Sequence, residues 1–303
     1  MQRFVGRAFP CTCPFAIKYR LPETNGAETK LSKTYKAVIS DLDGTLLNSQ
    51  HQVSEFTRST LKALVESGVK FIVATGRHII DVQGIRQTMG FACDLITSNG
   101  ALVSDADDRL LFQYTIDPEL AADLIRLTQD HPSYDTNIYT RDGWFLAREV
   151  PDLMEFHRDS GFQYTVADLS RIDLNGIHKF CFIGEPAALA KLECELLERH
   201  GGRASVVFSC DDCLEVMASN VNKGNSVEKA LAGYGLHIDD AIAFGDAMND
   251  YEMLSMVAKG FLMSNAHERL KAALPEHAVI GHSDEDGVAH CLIEVFGLSP
   301  MGS

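Results

Sequence analysis

Two aspartates, separated by a single residue, follow a short apolar run near position 40. Asp41 and Asp43 belong to the segment Asp41–Thr45 (DLDGT), which directly follows Ala37–Ser40 (AVIS). Alternate side chains of a strand point to the same side, so we expect both carboxylates to face one site. Gly44 then allows a sharp turn. One carboxylate of such a pair can attack an electrophile while the other transfers a proton, and both can hold a cation.

Three further polar segments lie where the sequence pattern places strand ends or helix starts. The first is Ala74–Arg77 (ATGR), whose threonine hydroxyl and following amides suit a phosphoryl group. The others are Asn222–Gly224 (NKG), with a lysine at a helix entry, and Gly245–Asp250 (GDAMND), an acid-rich turn. Each alone is commonly a cap, a turn or a surface residue. Their joint occurrence at the strand ends of one sheet indicates a shared site.

These residues predict a different role for each side chain in phosphoryl transfer. Asp41 is the expected nucleophile, which attacks phosphorus in line and forms an aspartyl-phosphate. Asp43 would protonate the leaving alkoxide and later activate water, so it must be protonated while Asp41 is ionised. Mg²⁺ prefers oxygen ligands, and Asp41, Asp246 and the backbone carbonyl of Asp43 can supply them. Lys223 and Thr75 would hold the transferring oxygens.

Composition restricts the class of partner. The chain has 303 residues, 46% hydrophobic and 23% charged, and a net charge of −15. Such an acidic protein is a poor partner for nucleic acid or an anionic membrane surface. No stretch of the sequence reaches 18 apolar residues, so we expect no transmembrane helix. We therefore expect a cytoplasmic protein with small-molecule partners.

The cysteines raise a separate hypothesis. Cys210 and Cys213 form a Cys-x-x-Cys pair, a spacing found in redox and zinc sites. No second pair at zinc spacing accompanies it, and the Asp211–Asp212 dipeptide between them is typical of a hairpin turn. Most of the eight cysteines lie in apolar runs, where a thiol behaves as a small hydrophobe. The sequence therefore favours a structural interpretation of the pair.

The first 34 residues differ from the rest of the chain. Four basic residues precede the first acid, Glu23, but no continuous apolar stretch of the kind found in signal peptides follows Met1. The polar sequence that continues to Lys33 predicts a disordered arm or an upstream start codon, with a targeting segment as the alternative.

From position 36 onward, apolar strand patterns alternate with amphipathic helix patterns. Strands are predicted at 36–41, 69–74 and 94–97, and helices at 54–67 and 79–89. The same alternation returns after Lys223, with a helix at 227–234 and strands at 241–244, 260–263 and 279–280. A further helix is predicted at 249–257, between the first two of these strands. Near-continuous apolar strands separated by helices predict an α/β fold with a doubly wound, mostly parallel, Rossmann-like sheet.

The middle of the chain has a different pattern. Short strands at 102–103 and 110–112 look like a hairpin, and Asp117–Pro118 opens a helix. Paired strands and single helices then alternate up to Met217, including a looser pair near 162–166 and 179–183. We predict an inserted α+β cap at 117–218, with the core formed by 35–116 and 219–303.

The sequence resembles the haloacid dehalogenase-like superfamily in all four segments described above. It is similar in particular to the Cof-type phosphatases, whose cap is inserted between the second and third motifs. The resemblance covers about Tyr35 to Phe296. It implies Mg²⁺-dependent hydrolysis of small phosphomonoesters such as pyridoxal phosphate, sugar phosphates or related metabolites. The sequence is nearly as similar to members that act on hydroxymethylpyrimidine pyrophosphate. It also implies two groups of site residues: the metal ligands Asp41, Asp43, Asp246 and Asp250, and the phosphate contacts Thr75, Lys223 and Asn249.

Substrate choice is expected to depend on the cap, which would close over the site and exclude water. Trp144, the only tryptophan, could stack on a pyridine or pyrimidine ring. Packing and surface roles are the alternatives for Trp144 and for the other polar or aromatic cap candidates, which are Asn137, Tyr139, Arg141 and His178.

Two other functions stay open from the sequence. One is a phosphotransferase or mutase that passes the same aspartyl-phosphate to a sugar hydroxyl. The other is a non-enzymatic, phosphate-responsive module, although Asp43 argues against it because such a module needs no leaving-group acid.

Overall fold

The computed structural model describes residues 34–156 and 161–298. Strands are numbered along the chain within these ranges. They are β1 (Ala37–Ser40), β2 (Lys70–Ala74), β3 (Asp94–Thr97), β4 (Leu102–Ser104), β5 (Leu110–Gln113), β6 (Tyr134–Thr140), β7 (Trp144–Leu146), β8 (Thr165–Val166), β9 (Ile177–Gly184), β10 (Ala204–Cys210), β11 (Cys213–Ala218), β12 (Ala241–Gly245), β13 (Lys259–Met263) and β14 (Ala278–Ile280).

The helices of the same ranges are numbered in the same way. They are α1 (Glu55–Glu66), α2 (Ile79–Met89), α3 (Pro118–Thr128), α4 (Pro151–Phe156), α5 (Pro186–His200), α6 (Lys223–Gly233), α7 (Tyr251–Met256), α8 (Glu268–Ala273) and α9 (Gly287–Phe296). Their starts follow ordinary capping rules: Ser54 and Asn222 each accept a backbone N–H at the first turns of α1 and α6.

One sheet has the strand order β14-β13-β12-β1-β2-β3-β4-β5. Its strands are parallel from β14 to β3, and β4 and β5 continue it antiparallel. Every residue of Ala37–Ser40 is buried, so both faces of the central strand are covered. The predicted α/β fold with a mostly parallel sheet is confirmed. Because β1 lies between β2 and β12, the segments that follow these three strands meet at one edge.

A second sheet has the order β10-β11-β9-β6-β7-β8 and is antiparallel except for the β7–β8 pair. Its core is largely aliphatic and aromatic, with Phe180 and Phe182 of β9 fully buried against α3 and α5 residues. All strands of this sheet fall within 117–218. The division into an arm, a core and a cap nevertheless stays a prediction, and positions 1–33 of the arm lie outside the described residues.

The predicted strand near 162–166 is shorter in the structure, where only Thr165–Val166 pair with β7. Phe162 is buried against the rings of Trp144 and His78 and does not enter a strand ladder. Side-chain packing therefore replaces backbone pairing in that segment. In the described part of the chain, no helix combines the length and the apolar character that crossing a membrane requires.

Candidate active site

The chain turns sharply after β1. Asp41 keeps an extended conformation, and Leu42–Leu46 then form a single tight turn in which Gly44 has φ +70°. A Cβ on Gly44 would overlap the carboxylate of Asp246, which follows β12. Glycine is required here both by its positive φ and by this close approach. The turn thus brings the ends of β1 and β12 into contact.

Lys223 is fully buried between two carboxylates. Its Nζ donates to Asp41 Oδ1 and to Asp250 Oδ1, each at 2.7 Å. The second oxygen of Asp250 accepts the backbone N–H groups of Asp246 and Ala247 at 2.9 and 3.0 Å. Burial acts against the ammonium charge, but the two carboxylates outweigh it and raise the pKa of Lys223. Asp250 therefore orients both the lysine and the loop that carries Asp246.

The carboxylates form a cluster that fits a divalent cation. Ligand oxygens of Asp41, Asp246 and Asp250 lie within 4.8 Å of one another. Burial and the charge of Asp250 raise the pKa of Asp246 to about 7. Burial also raises the pKa of Asp41, against the lowering effect of Lys223. Such crowding of negative charge on oxygen donors suits a hard cation, which would relieve the repulsion. Asp43 is not part of this cluster.

The side chain of Asp43 is paired with Arg77 instead. Both of its oxygens accept from the guanidinium, at 2.7 and 2.6 Å, and His51 Nδ1 lies 3.6 Å away. Burial acts to raise the pKa of Asp43, but the hydrogen bonds and charges of Arg77 and His51 hold it well below its usual range. We expected a protonated Asp43 beside an ionised Asp41. This arrangement sets the two pKa values in the opposite order, because sequence spacing did not reveal the guanidinium.

Thr75 and Asn249 flank the cluster. Thr75 is buried, and its hydroxyl accepts the backbone N–H of Arg77 at 3.1 Å. The amide of Asn249 donates to Asn99 Oδ1 at 3.1 Å, whereas Asn249 Oδ1 is buried and has no hydrogen-bond partner among the described residues. A buried polar atom without a partner is uncommon away from a binding site. The predicted phosphate contacts therefore surround Asp41.

A cavity of about 630 Å³ separates these loops from the second sheet. Its core side includes Asp41, Asp43, Thr75, Asp246 and Asn249. Two of the five cap candidates, Tyr139 and Trp144, line its other side. The remaining cap residues of the lining are Leu153, Lys179, Cys181, Ile183, Ser209, Cys210, Asp212, Cys213 and Glu215.

Trp144 is 1% exposed and belongs to an aromatic stack. Its ring lies 5.6 Å from that of Tyr139 at an interplanar angle of 11°, and 5.6 Å from that of Phe162. The indole N–H donates to Asn137 Oδ1 at 2.9 Å. Asn137 does not line the cavity but fixes the orientation of the tryptophan ring.

Arg141 and His178 do not line this cavity. Arg141 is exposed in the β6–β7 turn and borders two other surface grooves. His178 is buried beside it, and burial and then the charge of Arg141 lower its pKa to about 4. The strand period decides this, since His178 points to the face of β9 opposite that of its neighbour Lys179. The structure thus gives these two candidates no contact with the site.

Sequence reasoning missed a buried ion pair that joins the two sheets. Glu215 of β11 accepts from Lys179 of β9, and its second oxygen accepts from Asn99 Nδ2 at 2.6 Å. Lys179 Nζ also donates to the carbonyl of Gly76 at 2.8 Å. Both charged residues are nearly buried. Their only signal in the sequence is a charge within an otherwise apolar strand.

His78 makes a second bridge. Its Nε2 donates to the carbonyl oxygen of Thr140 at 2.7 Å, its Nδ1 accepts the N–H of Ile80, and its ring stacks on Phe162 at 4.4 Å. Burial lowers the pKa of His78 to about 4, so the ring is neutral and donates through one nitrogen only. Hydrogen bonds of His78, and those of Lys179 and Glu215, therefore connect the edge of the first sheet to the second sheet.

A family model described as haloacid dehalogenase-like hydrolase matches residues 38–292. The chain belongs to the haloacid dehalogenase-like hydrolase family. The resemblance to this superfamily and its Cof-type phosphatases, drawn from the four motifs, is confirmed. The chain is thus a hydrolase, and the predicted enzyme class, a phosphatase, is confirmed at that level.

Relatives cover most of the chain. A Haemophilus influenzae protein is 42% identical over 266 residues, which are 87% of this chain and 98% of that protein. A Yersinia pestis protein named HMP-PP phosphatase is 40% identical over 258 residues, covering 85% and 94% respectively. A solved structure of a haloacid dehalogenase-like hydrolase from B. subtilis has a TM-score of 0.78 at 25% identity, and covers 85% of this chain and 98% of its own.

We predict that Gly44→Ala abolishes most activity, because the new Cβ displaces the Asp246 carboxylate. A shift of about 1 Å in such a group can cost on the order of 10²-fold. The measurement is the rate of p-nitrophenyl phosphate hydrolysis. Gly68→Ala is the matched control, since Gly68 also has a positive φ but has open space around it. Equal losses in the two variants would show that backbone strain alone is responsible.

We predict that Asp246→Asn stabilises the metal-free protein at pH 8 but not at pH 5. A carboxyl whose pKa rises on folding favours the folded state below its unfolded pKa of about 4, and this contribution is lost as the pH rises through the folded value of about 7. The rise from about 4 to about 7 corresponds to a gain of a few kcal/mol at pH 8, at about 1.4 kcal/mol for each pKa unit, which urea unfolding in EDTA would measure. Asp107→Asn, an exposed position, is the control. A gain that does not depend on pH contradicts the assignment.

Proposed function

We propose that the protein hydrolyses small phosphomonoesters through an aspartyl-phosphate on Asp41. The observation that carries the proposal is the placement of Asp41 at the cavity, with Oδ1 bound to Lys223 and Oδ2 without a hydrogen bond among the described residues. A nucleophile needs one oxygen free and its orientation fixed. Lys223 fixes the carboxylate while leaving Oδ2 to attack.

The first step forms a bond between Asp41 Oδ2 and phosphorus and breaks the ester P–O bond. The leaving alkoxide takes a proton from Asp43, which must turn away from Arg77 to carry one. In the second step Asp43 removes a proton from water, the hydroxide attacks phosphorus, and the P–O bond to Asp41 breaks. The ionised Asp43 seen here suits this second step. The sum is ester plus water to alcohol plus phosphate.

Thr75 and Asn249 border the position of the transferring phosphoryl group, and Lys223 lies behind the nucleophile. Hydrogen-bond donors fixed in this way stabilise the charge that develops during transfer. Asp41, Asp246 and the Asp43 carbonyl would hold Mg²⁺, with Asp250 behind them. When bound, the ion would neutralise phosphate charge during the attack.

We further propose that the preferred substrates carry a planar heteroaromatic ring, as pyridoxal phosphate and hydroxymethylpyrimidine pyrophosphate do. Tyr139 and Trp144 line a cavity of about 630 Å³, a size suited to such metabolites, and a substrate ring would have to extend the aromatic stack to which the nearly buried Trp144 belongs. The name of the Yersinia pestis relative, HMP-PP phosphatase, supports the same class. Sugar phosphates are the competing substrates. The predicted cytoplasmic location belongs to this proposal as well.

We predict that Asp41→Asn abolishes both phosphate release and covalent labelling by a slow, radiolabelled phosphate ester. Asp43→Asn should still become labelled but release phosphate more slowly by on the order of 10²–10⁴-fold, because it lacks the base. Reactions run without any acceptor alcohol also separate hydrolysis from phosphotransfer. Folded Asp41→Asn protein that keeps the parent rate, or a parent that releases phosphate only when a sugar is added, contradicts the proposal.

We predict that Trp144→Leu lowers kcat/KM for pyridoxal phosphate more than for glucose 6-phosphate. Aromatic pairing is worth about 0.5–1.5 kcal/mol, which corresponds to roughly 2–10-fold. Trp144→Phe keeps a ring and is the matched control. A screen of phosphate release over both substrates, with and without Mg²⁺, provides the measurement. Equal losses on both substrates would show that the indole only packs within the cap.

A further inference from the structure

Three thiols of the second sheet face the cavity. Cys181 lies on β9, and Cys210 and Cys213 flank the β10–β11 turn. Cys181 Sγ and Cys213 Sγ are 3.2 Å apart, and Cys210 Sγ donates to Asp212 Oδ1 at 3.0 Å. The sequence shows no second cysteine pair near the Cys210–Cys213 pair. In the structure a third thiol, that of Cys181, comes from the neighbouring strand β9, about thirty positions earlier in the chain.

Glu215 adds an oxygen to this group. The β9–β11 register pairs Glu215 with Cys181, and Cys213 lies two positions before Glu215 on the same face of β11. Ligand atoms of Cys181, Cys213 and Glu215 all lie within 4.8 Å of one another. Thiolate–zinc bonds are about 2.3 Å long, so two sulfurs on one tetrahedral ion lie about 3.8 Å apart. The observed spacing requires only a small side-chain adjustment.

We propose that Cys181, Cys213 and Glu215 bind a borderline-soft divalent cation, represented by Zn²⁺, in the roof of the cavity opposite Asp41. Cys210 also lines the cavity but is not among the three residues whose ligand atoms lie within 4.8 Å of one another. Each thiol that is protonated loses its proton to solvent when the sulfur coordinates the ion, and no electron is transferred. Two thiolates and a carboxylate select Zn²⁺ over Mg²⁺, whereas the oxygen donors around Asp41 favour Mg²⁺. The cavity thus presents two cation sites of different chemistry.

The ion would replace the ion pair between Lys179 and Glu215. Glu215 now accepts from Lys179, while its other oxygen accepts from Asn99. A bound cation takes over the charge that Lys179 supplies to Glu215. Lys179 keeps its hydrogen bond to the carbonyl of Gly76. Occupation therefore places an ion at the wall of the cavity where a substrate would sit and removes a contact between β9 and β11 of the second sheet.

Inhibition follows from this placement and rests on the proposed function. An ion in the roof would reduce turnover even with Mg²⁺ in excess, because the two ions use different ligands. Binding itself does not depend on the enzyme being a phosphatase. Binding and inhibition are therefore tested independently. Binding without inhibition would overturn only the role of the cavity in catalysis.

The test uses Co²⁺ as a spectroscopic substitute for Zn²⁺, added to the full chain in Mg²⁺ buffer under reducing conditions. We expect a thiolate-to-cobalt charge-transfer band that Zn²⁺ displaces at one equivalent. Cys181→Ser and Cys213→Ser should each lose the band. Asp246→Asn should keep it, which places the ion away from the acidic cluster. Zn²⁺ inhibition of p-nitrophenyl phosphate turnover should weaken at least tenfold in both cysteine variants.

Two controls separate this site from other thiols. Cys194→Ser removes an exposed thiol of α5 outside the cavity lining and should keep the band and the activity. The double variant of Cys11 and Cys13, which lie outside the described residues, should keep the band as well. A band that survives Cys213→Ser, or that disappears with Cys11 and Cys13, overturns the proposal. Inhibition lost only in Asp246→Asn also overturns it, since Zn²⁺ would then act at the magnesium ligands.

Discussion

The ammonium group of Lys223, buried between Asp41 and Asp250, is the interaction on which the rest of the site depends. Buried carboxylates are costly, and removing one partner of a buried ion pair costs about 3–5 kcal/mol. Lys223 allows Asp41 to sit in a nearly water-free pocket without closing its second oxygen. Asp250 holds the lysine and, through two backbone N–H groups, the loop of Asp246. One cation thus orders the ends of β1, α6 and β12.

A second constraint is the closed contact between the sheets. Lys179, Glu215 and Asn99 form a buried polar chain on one side, and His78 contacts the backbone of the second sheet on the other. Three hydrogen bonds cross the cavity edge: Asn99 to Glu215, Lys179 to the Gly76 carbonyl, and His78 to the Thr140 carbonyl. Electrostatic interactions are stronger at such buried contacts than in water. These contacts also explain why charges occur within strands that are otherwise apolar.

Arg77 gives the two catalytic candidates different environments. It holds Asp43 in a bidentate pair, while Asp41 is turned toward Lys223 and the acidic cluster. The pKa values of two aspartates two positions apart are therefore shifted in opposite directions. The spacing of the pair indicated a shared site, but their relative pKa values depend on a guanidinium 34 positions along the chain. In the proposed mechanism, proton transfer by Asp43 requires the Asp43–Arg77 pair to open and re-form.

The sequence by itself determined the α/β fold, the order of its main elements and the four motifs of the active site. Short-range signals sufficed there, because apolar runs, caps and glycine turns act within a few residues. Only the tertiary structure decided that Arg77 binds Asp43 and that Arg141 and His178 lie away from the cavity. It also decided that the thiols of Cys181 and Cys213 lie side by side. Each of these results depends on strand register and side-chain direction between distant segments. A one-residue change of register reverses the face of every side chain, and no local pattern carries that information.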